Sequence, residues 1–137
     1  MTDRELIALA ISARKNAYTP YSGYAVGAAL IAGSGRVYTG CNIENAAYTP
    51  SNCAERTAIF KAVSEGEREI VRIAIAAAPR KLDPPFPAYP TPCGVCRQVM
   101  AEFASPDLPV LLAKSEQDYR CVTLADLLPL SFTAKDL

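Results

Sequence analysis

The chain has 137 residues, half of them apolar, with fourteen basic residues balancing fourteen acidic ones and no histidine. That length and apolar share suit one domain spanning 1–137 with its own core and exclude a disordered chain, while the balanced charge offers no basic stripe for a phosphate backbone, so no nucleic-acid partner is expected. Without imidazole there is no Ser-His-Asp triad, no Cys-His nucleophile and no His-ligated zinc, so proton transfer near neutral pH falls to Glu, Asp, Cys, Tyr or Lys.

In chain order, Thr2 or Asp3 caps a first helix whose apolar residues Leu6, Ile7, Leu9, Ala10, Ala13 and Ala17 recur at helical spacing; it should end near Asn16. Pro20 and Gly23 mark Tyr18 to Gly23 as loop. Tyr24 to Ala32 and Arg36 to Asn42 are β-rich runs joined through Gly33-Ser34-Gly35, a hairpin signal. Ser51 or Asn52 precedes a helical pattern from Cys53 to Ser64, with Gly66 placed to stop it. Ile70 to Ala78 is nearly continuous in apolar residues and reads as a buried central strand. Pro84, Pro85, Pro87, Pro90 and Pro92 make the stretch from Pro79 to Pro92 a stiff surface loop. A second long helix opens near Gly94 and runs to Phe103, followed by strands at Pro109 to Ala113 and Tyr119 to Val122 and a short helix at Leu124 to Leu128. Strands alternating with helices after a hairpin predict an α/β fold, a three-layer α-β-α sandwich on a five-stranded mixed sheet.

No run approaches the roughly 18 apolar residues of a membrane span, and Met1 leads into a charged amphipathic stretch, not a basic-then-apolar leader. A cytoplasmic location with no membrane partner is expected. Five cysteines are an odd number and read as free thiols of a reducing compartment.

Chemistry concentrates at Cys53-Ala54-Glu55 and, forty positions on, Cys93-Gly94-Val95-Cys96. Cys53 opens one predicted helix, and Cys93 and Cys96 share the first turn of another, where free N–H groups and the helix dipole favour thiolates. Three protein ligands leave a corner of a zinc tetrahedron for water or substrate, as catalytic sites do, and Glu55 two positions after a ligand is placed to handle protons. Three thiolates on Zn²⁺ leave a net negative charge; Arg56, beside Glu55, is the candidate donor to the sulfurs that offsets it. Two other readings stand beside this one: a closed four-cysteine site completed by Cys41 or Cys121, and a redox Cys-x-x-Cys pair. Neither accounts for Glu55, and Cys41 and Cys121 fall in predicted strands without ligand spacing.

These residues resemble the small, homotetrameric class of zinc-dependent cytidine deaminases. The likeness runs through Tyr21-Ser22, Val26-Gly27-Ala28-Ala29-Leu30, Gly40-Cys41-Asn42-Ile43-Glu44-Asn45-Ala46, Cys53-Ala54-Glu55-Arg56-Thr57-Ala58, Lys61 to Gly66 and Pro92-Cys93-Gly94-Val95-Cys96-Arg97-Gln98-Val99. The wider deaminase signature often carries His as first ligand, and Cys in that place marks the nucleoside branch. The resemblance implies one Zn²⁺ per subunit on Cys53, Cys93 and Cys96. It also implies hydrolytic deamination of cytidine and 2′-deoxycytidine in pyrimidine salvage: water activated by the metal adds at C4, and Glu55 shuttles its proton to N3 and then to the leaving amine. By the same likeness Asn42 and Glu44 hold the ribose hydroxyls, and Tyr24 and Ala54 contact the substrate. Two polar residues two apart at a strand end should share a face, and a carboxylate there accepts from hydroxyls but repels a 5′-phosphate. Tyr24 stands where the family usually has Phe, and Phe132 resembles an aromatic that reaches a neighbouring subunit's site. The proline-rich segment from Lys81 to Tyr89 is longer than the family's usual connection, and Tyr48-Thr49-Pro50-Ser51 also departs from it; the resemblance places both beside the pocket, where they would affect substrate preference without touching the metal. A deaminase of a modified cytosine nucleoside such as blasticidin S, and a non-catalytic zinc-stabilised binding protein, are the competing functions.

Overall fold

In the computed structural model, which describes residues 1–137, helix α1 (Asp3–Ala13) opens at a reciprocal cap: Thr2 accepts from the Glu5 main chain and the Glu5 carboxylate accepts from the Thr2 N–H. A 3-10 turn, Arg14–Asn16, carries the chain on to where the helical periodicity ends. Strands β1 (Tyr24–Ala32) and β2 (Val37–Cys41) form the hairpin, helix α2 covers Ala54–Ser64, and β3 (Ile70–Pro79) is the central strand. Helix α3 (Gly94–Phe103), strands β4 (Pro109–Ala113) and β5 (Tyr119–Thr123), the short α4 (Leu124–Leu127) and a last 3-10 turn at Ala134–Asp136 complete it. The strands lie in the order β2-β1-β3-β4-β5, all neighbours antiparallel except β3 and β4, so the sheet is mixed as the pattern of elements predicts.

Alternation along β3 builds the two cores. Ile73 and Ile75 face α2, α3 and α4 together with Leu30, Val110 and Leu112, whereas Ala74, Ala76 and Ala78 face α1 with Leu6, Ile7 and Ala10. Small residues on the α1 side let that helix sit close to the sheet. A Cβ on Gly27 of β1 would lie 1.9 Å from the Ala10 carbonyl oxygen, and one on Gly40 of β2 would lie 2.5 Å from the main-chain nitrogen of Ala58 in α2. Neither neighbour is a side chain that can swing away. Gly27→Ala is therefore expected to cost about 3 kcal/mol or more, read as a lower urea midpoint with an unchanged slope.

One expectation is corrected by the structure. The proline-rich stretch is not surface throughout, because Phe86 is only 2% exposed and sits in the α1-side core, and Pro90 and Pro92 are buried. Arg14 is buried as well. Its guanidinium donates to the carbonyls of Ala25, Ala78 and Pro79 at 2.9, 3.1 and 3.2 Å, and lies 4.2 Å from the Phe86 ring centroid. The carbonyls left over where β1 begins and β3 ends need a donor, and the aromatic ring covers the cation's face. Burial draws the Arg14 guanidinium below its usual basicity.

Candidate active site

The site lies at the carboxyl end of β3, where the N-termini of α2 and α3 meet. Because β1 runs antiparallel to β3, its first residues come to the same end: Tyr24 pairs with Pro79 and Val26 with Ala77. Beyond β2, Asn42 returns to β1, accepting from the Val26 N–H at 2.9 Å and donating to the Tyr24 carbonyl at 2.8 Å. Between them a cavity of about 320 Å³ is walled by Tyr24, Val26, Asn42, Cys53, Glu55 and Cys93, with Ile75 and Ala77 as its floor. Tyr89, Pro90 and Thr91 supply its remaining side. A larger hollow between α3, α4 and the C-terminal residues, about 490 Å³ with Leu128, Leu130 and Asp136 on its walls, holds no cysteine.

Cys53 and Cys93 are the N-cap residues of α2 and α3, in extended conformation and without a capping hydrogen bond from either side chain. The sequence pointed to Ser51 or Asn52 as the α2 cap. Ser51 instead accepts from the Asn45 N–H and Asn52 donates to Thr57, which leaves the cap position to Cys53. The uncapped thiols face each other and Cys96. Sulfurs of Cys53 and Cys93 stand 3.7 Å apart, those of Cys93 and Cys96 3.5 Å, and all three lie within 4.8 Å of one another. Two thiolates each about 2.3 Å from one tetrahedral ion stand about 3.8 Å apart, so the cluster has the dimensions of a zinc site. Neither Cys41, at the end of β2, nor Cys121, exposed on β5, belongs to it.

Charge around the cluster follows from these contacts. The Cys53 thiol is drawn down to about 5, chiefly by the Cys96 thiol beside it and also by the Arg56 guanidinium, against the opposing effect of burial. Cys96, beside that thiolate and buried, is held up. Arg56 donates to the Cys53 sulfur at 3.2 Å and is held more basic by the sulfurs it faces. Its Nε is buried with no partner.

Glu55 lies in the first turn of α2 and is 3% exposed, and its Oε1 has no hydrogen-bond partner. Burial holds its carboxyl up to about 7. An unpaired buried carboxylate oxygen costs stability unless something enters the cavity to meet it. Three ligand sulfurs and a free carboxylate thus converge on one small, mostly apolar cavity, an arrangement suited to hydrolysis with proton transfer.

The remaining expected residues divide. Asn42 and Tyr24 line the cavity, but Glu44 lies in an adjoining hollow with Tyr21, Ser22 and Tyr48. Strand β2 stops at Cys41, but pairing continues past it: Ile43 bridges Tyr18 and Asn52, the Tyr18 N–H donates to the Asn42 carbonyl and the Glu44 N–H donates to the Tyr18 carbonyl. Glu44 accepts from the Tyr21 and Ser22 N–H groups at 3.0 and 3.2 Å and from the Ser22 hydroxyl, and that hydroxyl leads the groups that hold its carboxyl below the usual range. Ala54 is wholly buried, its methyl in the main core, and does not line the cavity. Phe132 is exposed and away from these walls, with its carbonyl accepting from Gln98. Val26, Ile75, Ala77, Pro90 and Thr91 were not named as site residues from the sequence, and Tyr89 was reached only as the end of a segment expected beside the pocket.

Comparison with known proteins places this geometry. The family model of the cytidine and deoxycytidylate deaminase zinc-binding region matches residues 1–112. The chain is 51% identical over 136 residues to a cytidine deaminase of Halalkalibacterium halodurans, covering 98% of each, and 49% identical over 137 residues to one of Sporosarcina psychrophila, covering all of this chain and 96% of that one. Its structure is similar to the crystal structure of cytidine deaminase from Burkholderia pseudomallei, with a TM-score of 0.86 at 44% identity over 96% of this chain and all of that one. With the zinc-sized sulfur cluster and the helix-borne glutamate on one cavity, the chain belongs to the zinc-dependent cytidine deaminase family.

Proposed function

We propose that the chain converts cytidine and 2′-deoxycytidine to uridine and 2′-deoxyuridine with release of ammonia, as a pyrimidine-salvage enzyme of the cytoplasm. The observation that carries this reading is the unpartnered Oε1 of Glu55 on the same cavity as the sulfurs of Cys53 and Cys93. Cys53, Cys93 and Cys96 hold the zinc, which when bound supplies the Lewis acidity that makes water nucleophilic near neutral pH. Glu55 takes a proton from that water, delivers it to N3 of the base, and carries the second proton to the departing amine. The C4–O bond forms as N3 takes the first proton, and the C4–N4 bond breaks once N4 has taken the second, so one water is consumed for each ammonia released.

Arg56 tempers the charge of the sulfurs through its bond to Cys53. Arg56→Gln is expected to weaken zinc binding roughly 10- to 100-fold in competition with a chelator, with Arg56→Lys between the two because it keeps the charge and loses the fork. Asn42 and Tyr24 meet the nucleoside at the mouth of the cavity. Glu44, in the adjoining hollow, meets the ribose hydroxyls by exchanging its Ser22 contact for them. Ala54 acts by packing, since its carbonyl oxygen approaches Gly40 so closely that a Cβ there would lie 2.6 Å away, and this fixes Cys53 and Glu55 on either side.

Exposed Phe60, Val95 and Phe132, at 48, 57 and 59%, support assembly into a homotetramer, which light scattering would report as four times the 14.7 kDa chain. No helix is long and apolar enough to cross a membrane. The deciding experiment assays one purified sample for zinc and for cytidine-dependent ammonia release. Turnover of blasticidin S with none of cytidine would reject the proposal, as would a zinc-loaded protein inactive on both.

A further inference from the structure

The segment from Pro79 to Pro92 does more than connect β3 to α3, because it ends in an aromatic wall of the cavity. Tyr89 packs against the main core and lines the cavity beside Pro90 and Thr91. Strand order fixes which side it closes. Tyr24 and Asn42 come from the β1–β2 side of β3, and Tyr89 is tied to the turn joining β4 to β5 on the other side.

Three side chains hold Tyr89 in place. The Tyr89 hydroxyl donates to the Asp118 carboxylate at 2.5 Å, and the Lys114 ammonium stands 4.4 Å from the ring centroid with the Arg120 guanidinium at 5.8 Å. Cations beside an aromatic ring favour its position without taking up its edges. The segment behind it is pinned in turn: the Phe86 N–H donates to the Lys114 carbonyl at 2.8 Å, the Phe86 ring sits in the core under Arg14, and the Arg80 N–H donates to Gly23 at 2.7 Å. Prolines at 84, 85, 87, 90 and 92 remove much of the remaining freedom.

Chemistry then assigns an edge of the base to this wall. Proton transfer commits the N3 side and the amine of a cytosine to Glu55 and the sulfur cluster, and the ribose side to Asn42. The C5–C6 edge is the base's one apolar edge; Ile75 and Ala77 form the floor under the ring and Val26 lies on the Tyr24–Asn42 side, so Tyr89 with Pro90 is the apolar side wall opposite Tyr24 and Asn42 that this edge can meet. We propose that Tyr89 is a specificity-determining residue, a fixed wall against the C5–C6 edge that excludes nucleosides carrying bulky C5 substituents, with Asp118 and Lys114 as its positioning residues. This rests on the nucleoside reading above.

The test compares steady-state kinetics on cytidine, 5-methylcytidine and 5-propynylcytidine for the zinc-loaded wild type, Tyr89→Ala, Tyr89→Phe and Asp118→Ala. Tyr89→Ala is expected to raise KM for cytidine about tenfold with kcat within about threefold. The same variant should shift selectivity, taken as the ratio of kcat/KM values, at least about tenfold from cytidine toward the propynyl nucleoside. Tyr89→Phe and Asp118→Ala each keep the ring and remove the hydrogen bond that fixes it, so both should move the ratio the same way as Tyr89→Ala by a smaller factor. An unchanged ratio in Tyr89→Ala, or an equal fall on all three nucleosides, overturns the assignment while wild-type turnover of cytidine leaves the deaminase reading standing. A wild type inactive on cytidine overturns both.

Discussion

Replacing Glu55 with glutamine is expected to lower kcat for cytidine by about 10²- to 10⁴-fold while zinc content stays at that of the wild type. The reason lies in what the substitution leaves alone. Glutamine has the shape of glutamate, so a residue 3% exposed in the first turn of α2 is replaced without a cavity or a clash. Cys53 at the cap position, Cys96 across the cluster and the Arg56 bond to sulfur all remain. What disappears is a group able to accept a proton at the cavity wall and release it twice in one turnover. Thermal stability separates this from damage to the fold. The Oε1 atom is buried without a partner, so neutralising the side chain relieves a desolvation penalty, and the melting temperature should be equal to or above that of the wild type. Reduced activity together with a raised or unchanged melting temperature is the signature of a functional group kept at the expense of stability. Activity within tenfold of the wild type, with zinc in place, would remove Glu55 from the proposed mechanism.

How much of this was legible beforehand depended on the range of the interaction involved. Helix α1, the hairpin, α2, α3 and the three later strands fall where local periodicity and turn residues put them, because each is set by contacts within a few residues: the Thr2–Glu5 cap, the Gly33-Ser34-Gly35 turn, the alternating Ile and Ala of β3. The cysteine cluster was legible for a different reason. Sulfur at two helix starts plus a carboxylate is a chemical pattern with few other uses, so its members could be paired across forty positions. Long-range pairing without such a pattern was not readable. Nothing in the sequence marks Arg14 as the residue that collects carbonyls from Ala25, Ala78 and Pro79, since an arginine after an amphipathic helix looks solvated until the strand ends that need it are in place. Phe86 and Tyr89 were hidden by the prolines around them, which signal a surface loop although the two rings turn inward.

Cys96→Ala should lose both the metal and the activity, and how it affects stability identifies the ligand set. Cys96 is fully buried against the main core in the first turn of α3, so the loss of one sulfur from packing alone should cost only about 1 kcal/mol. A metal ligand carries a second and larger cost. An ion that binds the folded chain and not the unfolded one adds to stability in proportion to the logarithm of its concentration over its dissociation constant, and structural zinc in small sites is worth on the order of 10 kcal/mol. With two sulfurs left, that contribution should fall away, giving zinc below about a tenth of the wild-type content and a melting temperature lower by well over the roughly 4 °C that 1 kcal/mol moves a domain of this size. Chelation supplies the internal control. Stripping zinc should lower the melting temperature of the wild type and leave that of Cys96→Ala unmoved, because the variant has nothing left to lose. Cys121→Ala, on the exposed edge strand, should behave as the wild type in every one of these measurements. Full zinc in Cys96→Ala, or zinc lost from Cys121→Ala, would mean that the ion is held by a different set of sulfurs, and the open coordination corner on which the hydrolytic chemistry depends would have to be found elsewhere.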